Sequence, residues 1–290
     1  MMTTAKRYDL TIDGHRLVAF GYNEDQPGKP LILLHGILAS ASFWPENAPG
    51  VSPGQRWYAL TLPGHYPARW AEGFRRETLT AELIADLVAG AIQQLCGGQR
   101  VFLAGHSTGG FAALAVAARH PQLVDKVLSI SGFAQGKWYG PLRLLQMQAR
   151  MGPIGEVLFR FNVRLTMLTP RVYTYASGLY ASDRGRYFAY PDLRQHVERL
   201  YADARQHDLH GMAHYFARMP DIDIRDWLPR IQAPTLALAG SRDGIVPPEQ
   251  ARLIAELVPD ARLMLLDGAG HMPMAERPEV YEQTLRDWLG

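Results

Sequence analysis

Apolar positions in this chain alternate between two patterns. Short, mostly apolar runs occur at residues 30–34, 57–62, 101–104, 127–131, 235–239 and 262–266, as expected for strands buried on both faces of a parallel sheet. Between them the period changes. Leu83, Leu87, Val88, Ala91 and Leu95 recur at helical spacing, with Thr78 or Thr80 as the cap and Gly97-Gly98 as the stop. Residues 111–120 are alanine-rich and suit a helix ended by Pro121, and residues 248–258 and 278–289 suit two more. Near the start, residues 7–12 and 16–22 flank Asp13-Gly14-His15, a hairpin signal that predicts an antiparallel pair at a sheet edge.

The strand-helix alternation predicts an α/β fold, with a mostly parallel central sheet flanked by helices on both faces. From Phe133 to Asp226 the rhythm stops. That stretch has no clear strand, yet it carries nearly half of the chain's Phe, Tyr and Trp. It reads as a helical cap insertion, 133–226, within a core domain made of 1–132 and 227–290.

Composition narrows the partners rather than the fold. In 290 residues, 47% are hydrophobic and 20% charged, with a net charge of +2. This balance is ordinary for a soluble globular protein and argues against nucleic-acid binding by charge alone. A single cysteine, Cys96, cannot close an intrachain disulfide and has no neighbours at metal-ligand spacing, so it reads as a small hydrophobe near a helix end. The first ten residues lack the form of a secretory signal. No apolar run approaches the roughly 20 residues of a transmembrane segment, and a cytoplasmic location is the default expectation.

Candidate chemistry gathers where the strands end, the rim at which open α/β sheets bind ligands. Gly105-His106-Ser107-Thr108-Gly109 joins a strand to a helix. Small residues on either side permit a turn tight enough to expose the Ser107 hydroxyl, while the helix directs amides and positive dipole toward it. Two later strands end in Asp243-Gly244-Ile245-Val246-Pro247 and in Asp267-Gly268-Ala269-Gly270-His271-Met272-Pro273. Serine needs a base to take its proton and a carboxylate to orient that base. His271 and Asp243 fit these roles. Asp267 is a rival acid, although its place beside two glycines suits a turn-stabilising carboxylate better.

With these motifs in the order Ser, Asp, His, the chain resembles the α/β-hydrolase superfamily from about Lys29 to its end, the helical stretch corresponding to that family's cap. Glu276 and Pro278 belong to the same histidine-loop match. The resemblance implies an oxyanion hole made by the backbone N–H groups of Ile37 and Thr108, and chemistry without a cofactor or metal. Pro63-Gly64-His65 also fits, but Thr61 stands where many relatives carry Asp and Tyr66 where they often carry Gly. His35 is expected to brace its loop, and His106 to be packed and hydrogen-bonded away from the serine. His207, His210 and His214 have spacings that would allow one helical face and hence zinc, but Gly211 and the lack of a supporting motif favour a polar or pocket-facing helix.

A serine at the elbow points to acyl chemistry rather than to the epoxide opening or halide displacement of relatives with aspartate there. Aromatic and methionine residues of the insertion are expected to form its core and to line an apolar pocket. The expected substrate is therefore an ester or thioester of a hydrophobic acyl or aromatic group, cleaved through an acyl-enzyme. Acyl transfer, carbon-carbon bond hydrolysis and slow-turnover ligand sensing remain alternatives. Lys137, Arg143, Arg150, Arg160, Arg164, Arg171, Arg184 and Arg186 outnumber the nearby acids Glu156 and Asp183 in the first part of the insertion. That basic face would suit an anionic carrier, coenzyme A or an acyl carrier protein, or an anionic lipid surface.

Overall fold

A computed structural model describes residues 5–48, 54–191 and 193–289. Eight strands form one sheet: β1 (Lys6–Ile12), β2 (His15–Tyr22), β3 (Leu31–Leu34), β4 (Trp57–Thr61), β5 (Val101–His106), β6 (Val124–Ile130), β7 (Thr235–Gly240) and β8 (Ala261–Leu266). Their spatial order is β1-β2-β4-β3-β5-β6-β7-β8. β1 and β2 are the antiparallel edge hairpin expected from Asp-Gly, with Asp13 and Gly14 both at positive φ; the strands from β4 to β8 pair in parallel. This is the mostly parallel sheet that the apolar runs predict.

Helices cover both faces. α1 (Trp44–Asn47) and α2 (Ala81–Cys96) precede β5, and α3 (Thr108–Arg119) follows it. Alternate residues of β3 enter different cores: Leu31 and Leu33 group with Trp44 and Leu285, whereas Ile32 and Leu34 group with Val88 and Phe111. Double-sided burial explains why this strand reads as continuous Leu-Ile-Leu-Leu. α2 begins at the Thr80 cap, whose side chain accepts from the Leu83 N–H and is worth about 1 kcal/mol, and it stops at Gly97 in the left-handed region. Cys96, its last residue, is half-buried, and burial pushes its thiol up to about 11.

α3 starts three residues earlier than its alanine pattern suggests. Gly109 and Gly110 lie inside the first turn rather than before it, because this turn is pressed against neighbouring backbone. A Cβ on Gly109 would fall 2.1 Å from the Leu34 carbonyl oxygen, and one on Gly110 would fall 2.9 Å from the Gly132 Cα.

After β6 the chain leaves the sheet and returns only at β7, the adjacent strand. The intervening segment holds α4 (Gly140–Arg150), α5 (Gly152–Thr166), α6 (Pro170–Ser177), α7 (Arg184–Phe188), α8 (Leu193–Ala204) and α9 (Leu209–Arg218). Its two ends pair as they cross, Gly136 N–H donating to the Ile222 carbonyl at 3.0 Å and Ile224 N–H to the Ala134 carbonyl at 2.9 Å. α10 (Glu249–Leu257), α11 (Pro273–Glu276) and α12 (Pro278–Leu289) complete the chain. No helix among the described residues is long and apolar enough to cross a membrane.

Candidate active site

Ser107 sits between β5 and α3 with φ 54° and ψ −116°, a conformation that costs on the order of 1–3 kcal/mol and persists only when its surroundings enforce it. Those surroundings are the glycine contacts. A Cβ on Gly105 would lie 2.2 Å from Gly109 backbone atoms, so no larger residue lets the strand and helix meet this closely. The Ser107 N–H donates to the Ile130 carbonyl at 2.8 Å, fixing the turn to β6. No acidic residue occupies the first turn of α3, and the positive end of the helix is left facing the site.

Three sequence-predicted side chains meet here. His271 Nε2 is 3.0 Å from Ser107 Oγ, and His271 Nδ1 is 2.7 Å from Asp243 Oδ2. All three residues are buried. Asp243 Oδ1 accepts the Ile245 and Val246 N–H groups, both at 2.9 Å, which aims the other oxygen at the imidazole. A proton on Nδ1 donated to that carboxylate leaves the Nε2 lone pair for the serine hydroxyl. Asp267 is exposed and accepts from Ser241 Oγ at 3.4 Å, in a turn also closed by Gly268 N–H on Ser241 Oγ at 2.8 Å. It plays the turn-stabilising part.

The histidine loop is held from three sides. His271 N–H donates to the Tyr180 carbonyl at 3.1 Å, and the His271 carbonyl accepts from His106 Nε2 at 2.9 Å. His106 thus points away from the serine; burial, with His271 adding to it, pushes its pKa down to about 3. The third hold is Glu276, whose buried carboxylate accepts the N–H groups of Gly270, Met272, Ser182 and Asp183. In the sequence Glu276 is visible only as a motif position, because two of its four partners lie in the insertion.

Ile37 follows β3 and lines the same cavity as Ser107. Gly36 is so close that an added Cβ would lie 3.2 Å from the Ser107 Cβ. Thr108 opens α3, and its N–H has no intrahelical acceptor. The carbonyls on both sides of Ile37 are held by neutral histidines. His35 Nε2 accepts the Leu62 N–H at 3.1 Å, leaving Nδ1 to donate to the Gly36 carbonyl at 2.8 Å. His207 Nδ1 accepts the Tyr66 N–H at 2.9 Å, leaving Nε2 to donate to the Leu38 carbonyl at 3.2 Å. Burial pushes the pKa of His35 down to about 4 and that of His207 to about 3. His35 therefore braces its loop as expected, and Thr61 braces it too, accepting the Ala41 N–H at 3.3 Å.

His207 corrects an expectation. It precedes the Asp208 cap of α9 and lies outside the helix, so it does not share a helical face with His210 and His214. His210 Nδ1 instead faces Glu156 Oε1 at 2.6 Å. Among the described residues no group of three His, Cys, Asp or Glu side chains converges as a metal site would require.

Above Ser107 and His271 is a cavity of ≈ 90 Å³. Its walls are largely apolar, including Phe43, Leu142, Met167, Val197, Leu200 and Met272. Four tyrosines of the insertion, Tyr173, Tyr180, Tyr187 and Tyr190, also border it. The Tyr187 hydroxyl is 2.7 Å from Ser177 Oγ, and burial pushes the Tyr180 pKa up to about 12. Such a lining combines an apolar surface with a few neutral polar groups.

Relatives of known name match nearly the whole chain. "Putative carbamate hydrolase RutD" of Stutzerimonas stutzeri (strain A1501) is 29% identical over 91% of this chain and 93% of its own. The pimeloyl-[acyl-carrier protein] methyl ester esterase of Aeromonas hydrophila is 24% identical over 91% of this chain and 96% of its own. Among solved structures, the enol-lactonase from Burkholderia xenovorans LB400 superposes with a TM-score of 0.76 at 21% identity, covering 97% of this chain and 99% of that one. The family model for the alpha/beta hydrolase fold matches residues 29–278. The chain belongs to the α/β-hydrolase fold family.

Proposed function

We propose that the protein is a serine hydrolase that cleaves an ester or thioester of a hydrophobic acyl or aromatic group through an acyl-enzyme on Ser107. The observation that carries this reading is the hydrogen-bonded series Asp243–His271–Ser107, buried at the floor of a mostly apolar cavity. The named relatives, one a methyl ester esterase and one a putative carbamate hydrolase, support hydrolysis of the ester type.

In this reading Ser107 Oγ attacks the carbonyl carbon while His271 Nε2 takes its proton, and Asp243 stabilises the imidazolium. Negative charge collects on the carbonyl oxygen between the N–H groups of Thr108 and Ile37, each worth on the order of 3 kcal/mol of barrier. Collapse expels the alcohol or thiol, which leaves with the proton from His271. Water, deprotonated by the same nitrogen, then attacks the acyl-enzyme and releases the acid and the serine. The insertion over 133–226 serves as the cap whose inner side chains hold the acyl group.

The test is turnover of aryl esters and acyl thioesters of increasing chain length beside the Ser107→Ala variant, with a fluorophosphonate label on both proteins. Expected are labelling of the wild type alone, turnover reduced by several orders of magnitude in Ser107→Ala, and a chain-length optimum. Equal turnover by the two proteins would overturn the assignment.

A further inference from the structure

Three successive helices of the insertion turn apolar side chains to solvent. On and just after α4 these are Leu144, Met147 and Met151; on α5 they are Ile154, Val157, Leu158, Phe161 and Leu165. Val172 and Tyr175 continue the series on α6, with Leu168 just before that helix and Leu179 just after it. Most neighbours within a set are three or four residues apart, so on each helix they share one face. Ile154 is 76% exposed, Tyr175 69% and Phe161 59%.

These stripes are not needed to pack the helices. α5 already buries Gly155, Phe159 and Val163 on its other side, and its outer face is apolar where a surface helix is ordinarily polar. Arginines border the stripes: Arg143 on α4, Arg160 and Arg164 on α5, Arg171 on α6. None of the four forms an ion pair among the described residues. The one acid of α5, Glu156, is engaged by His210.

From this surface we infer that the outer face of α4–α6 docks on a membrane containing anionic phospholipid. Apolar stripes flanked by free guanidinium groups match a lipid surface in both respects, with side chains entering the acyl boundary and arginines meeting phosphates. A second copy of this face would set arginine against arginine. An acidic carrier protein answers the charge but offers no apolar layer broad enough to cover three helices. The same helices contribute Leu142, Thr166, Tyr173 and Ala176 to the cavity, so docking brings the cavity-bearing elements to the lipid. Membrane binding stands independently of the reaction assigned to Ser107.

Co-sedimentation of the full chain with vesicles tests this, comparing phosphatidylcholine alone with a 3:1 mixture of phosphatidylcholine and phosphatidylglycerol. The wild type is expected to pellet with the mixed vesicles and much less with the neutral ones. Ile154→Ser with Phe161→Ser, and separately Arg160→Gln with Arg164→Gln, should each weaken that binding at least tenfold. Both pairs should leave the melting temperature and the hydrolysis of a short soluble ester unchanged, since none of these side chains touches the site. The inference is overturned if the wild type does not pellet, or if the variants bind as well as it does. It is equally overturned if the face instead mediates a dimer in sedimentation velocity, or captures an acyl carrier protein while ignoring vesicles.

Discussion

Two aspartates lie on the loops beside His271, and their surroundings separate their roles. Asp243 is buried, with one oxygen on two backbone N–H groups and the other 2.7 Å from the imidazole; Asp267 is exposed and bonded within its turn. Asp243→Asn keeps the shape but favours the wrong imidazole tautomer, so kcat on an aryl ester is expected to fall roughly 10⁴-fold. Asp267→Asn should stay within about twofold of wild type. A near-normal rate in Asp243→Asn, with a large loss in Asp267→Asn, would hand the orienting role to Asp267. Ser107, Asp243 and His271 were legible because each stands in a local motif whose glycines and prolines announce the turn. Spacing alone does not place His207, since it cannot reveal that Asp208 caps the helix and that its first turn begins only at Leu209.

At the scale of elements, α11 joins the histidine loop to the insertion through Glu276. Replacing it with alanine would leave four N–H groups without their carboxylate, each costing about 1–3 kcal/mol where it is buried. Glu276→Ala is therefore expected to lower both the melting temperature and, by at least tenfold, kcat for a short ester. Glu276→Gln, which keeps one acceptor oxygen, should recover part of each. Unchanged kcat in Glu276→Ala would show that the loop holds His271 without this support. Most strands and the span of α2 could be read from apolar period and caps. The start of α3 could not, since Gly109 and Gly110 are required by contacts with Leu34 and Gly132 that are remote in sequence. Nor could the division of the insertion's aromatic residues: Phe159 and Phe216 fill its core, Tyr173 and Tyr180 border the cavity, and Phe161 and Tyr175 face solvent. The clue was present in α5, which has more apolar positions than one buried face can use.

Across the whole molecule, the buried histidines set a response to acid. His35, His106 and His207 stay neutral in the folded chain down to about pH 4, 3 and 3, whereas in the unfolded chain each titrates near pH 6.5. Above about pH 6.5 neither state is protonated and their contribution is constant. Below it only the unfolded state takes up protons, so stability falls as pH drops toward the folded values, with a slope of about 1.4 kcal/mol per pH unit for each histidine. Urea unfolding at pH 7.0, 6.0 and 5.5 should show a steadily falling midpoint, shallower in His207→Gln measured against its own value at pH 7.0. A flat midpoint would mean that these rings are charged in the folded protein or reached by water. The sheet's strand order was not written in any one segment, since it depends on pairings across the chain; the existence of a mostly parallel sheet was. The crossing of residues 134–136 with 222–224 has a consequence for descent as well as for shape. A segment that departs from one strand, returns to the next and is zipped at its base can grow, shrink or be traded between lineages without shifting the register of any strand, so the sheet can keep one chemistry while its covering is rewritten for new substrates and new surroundings.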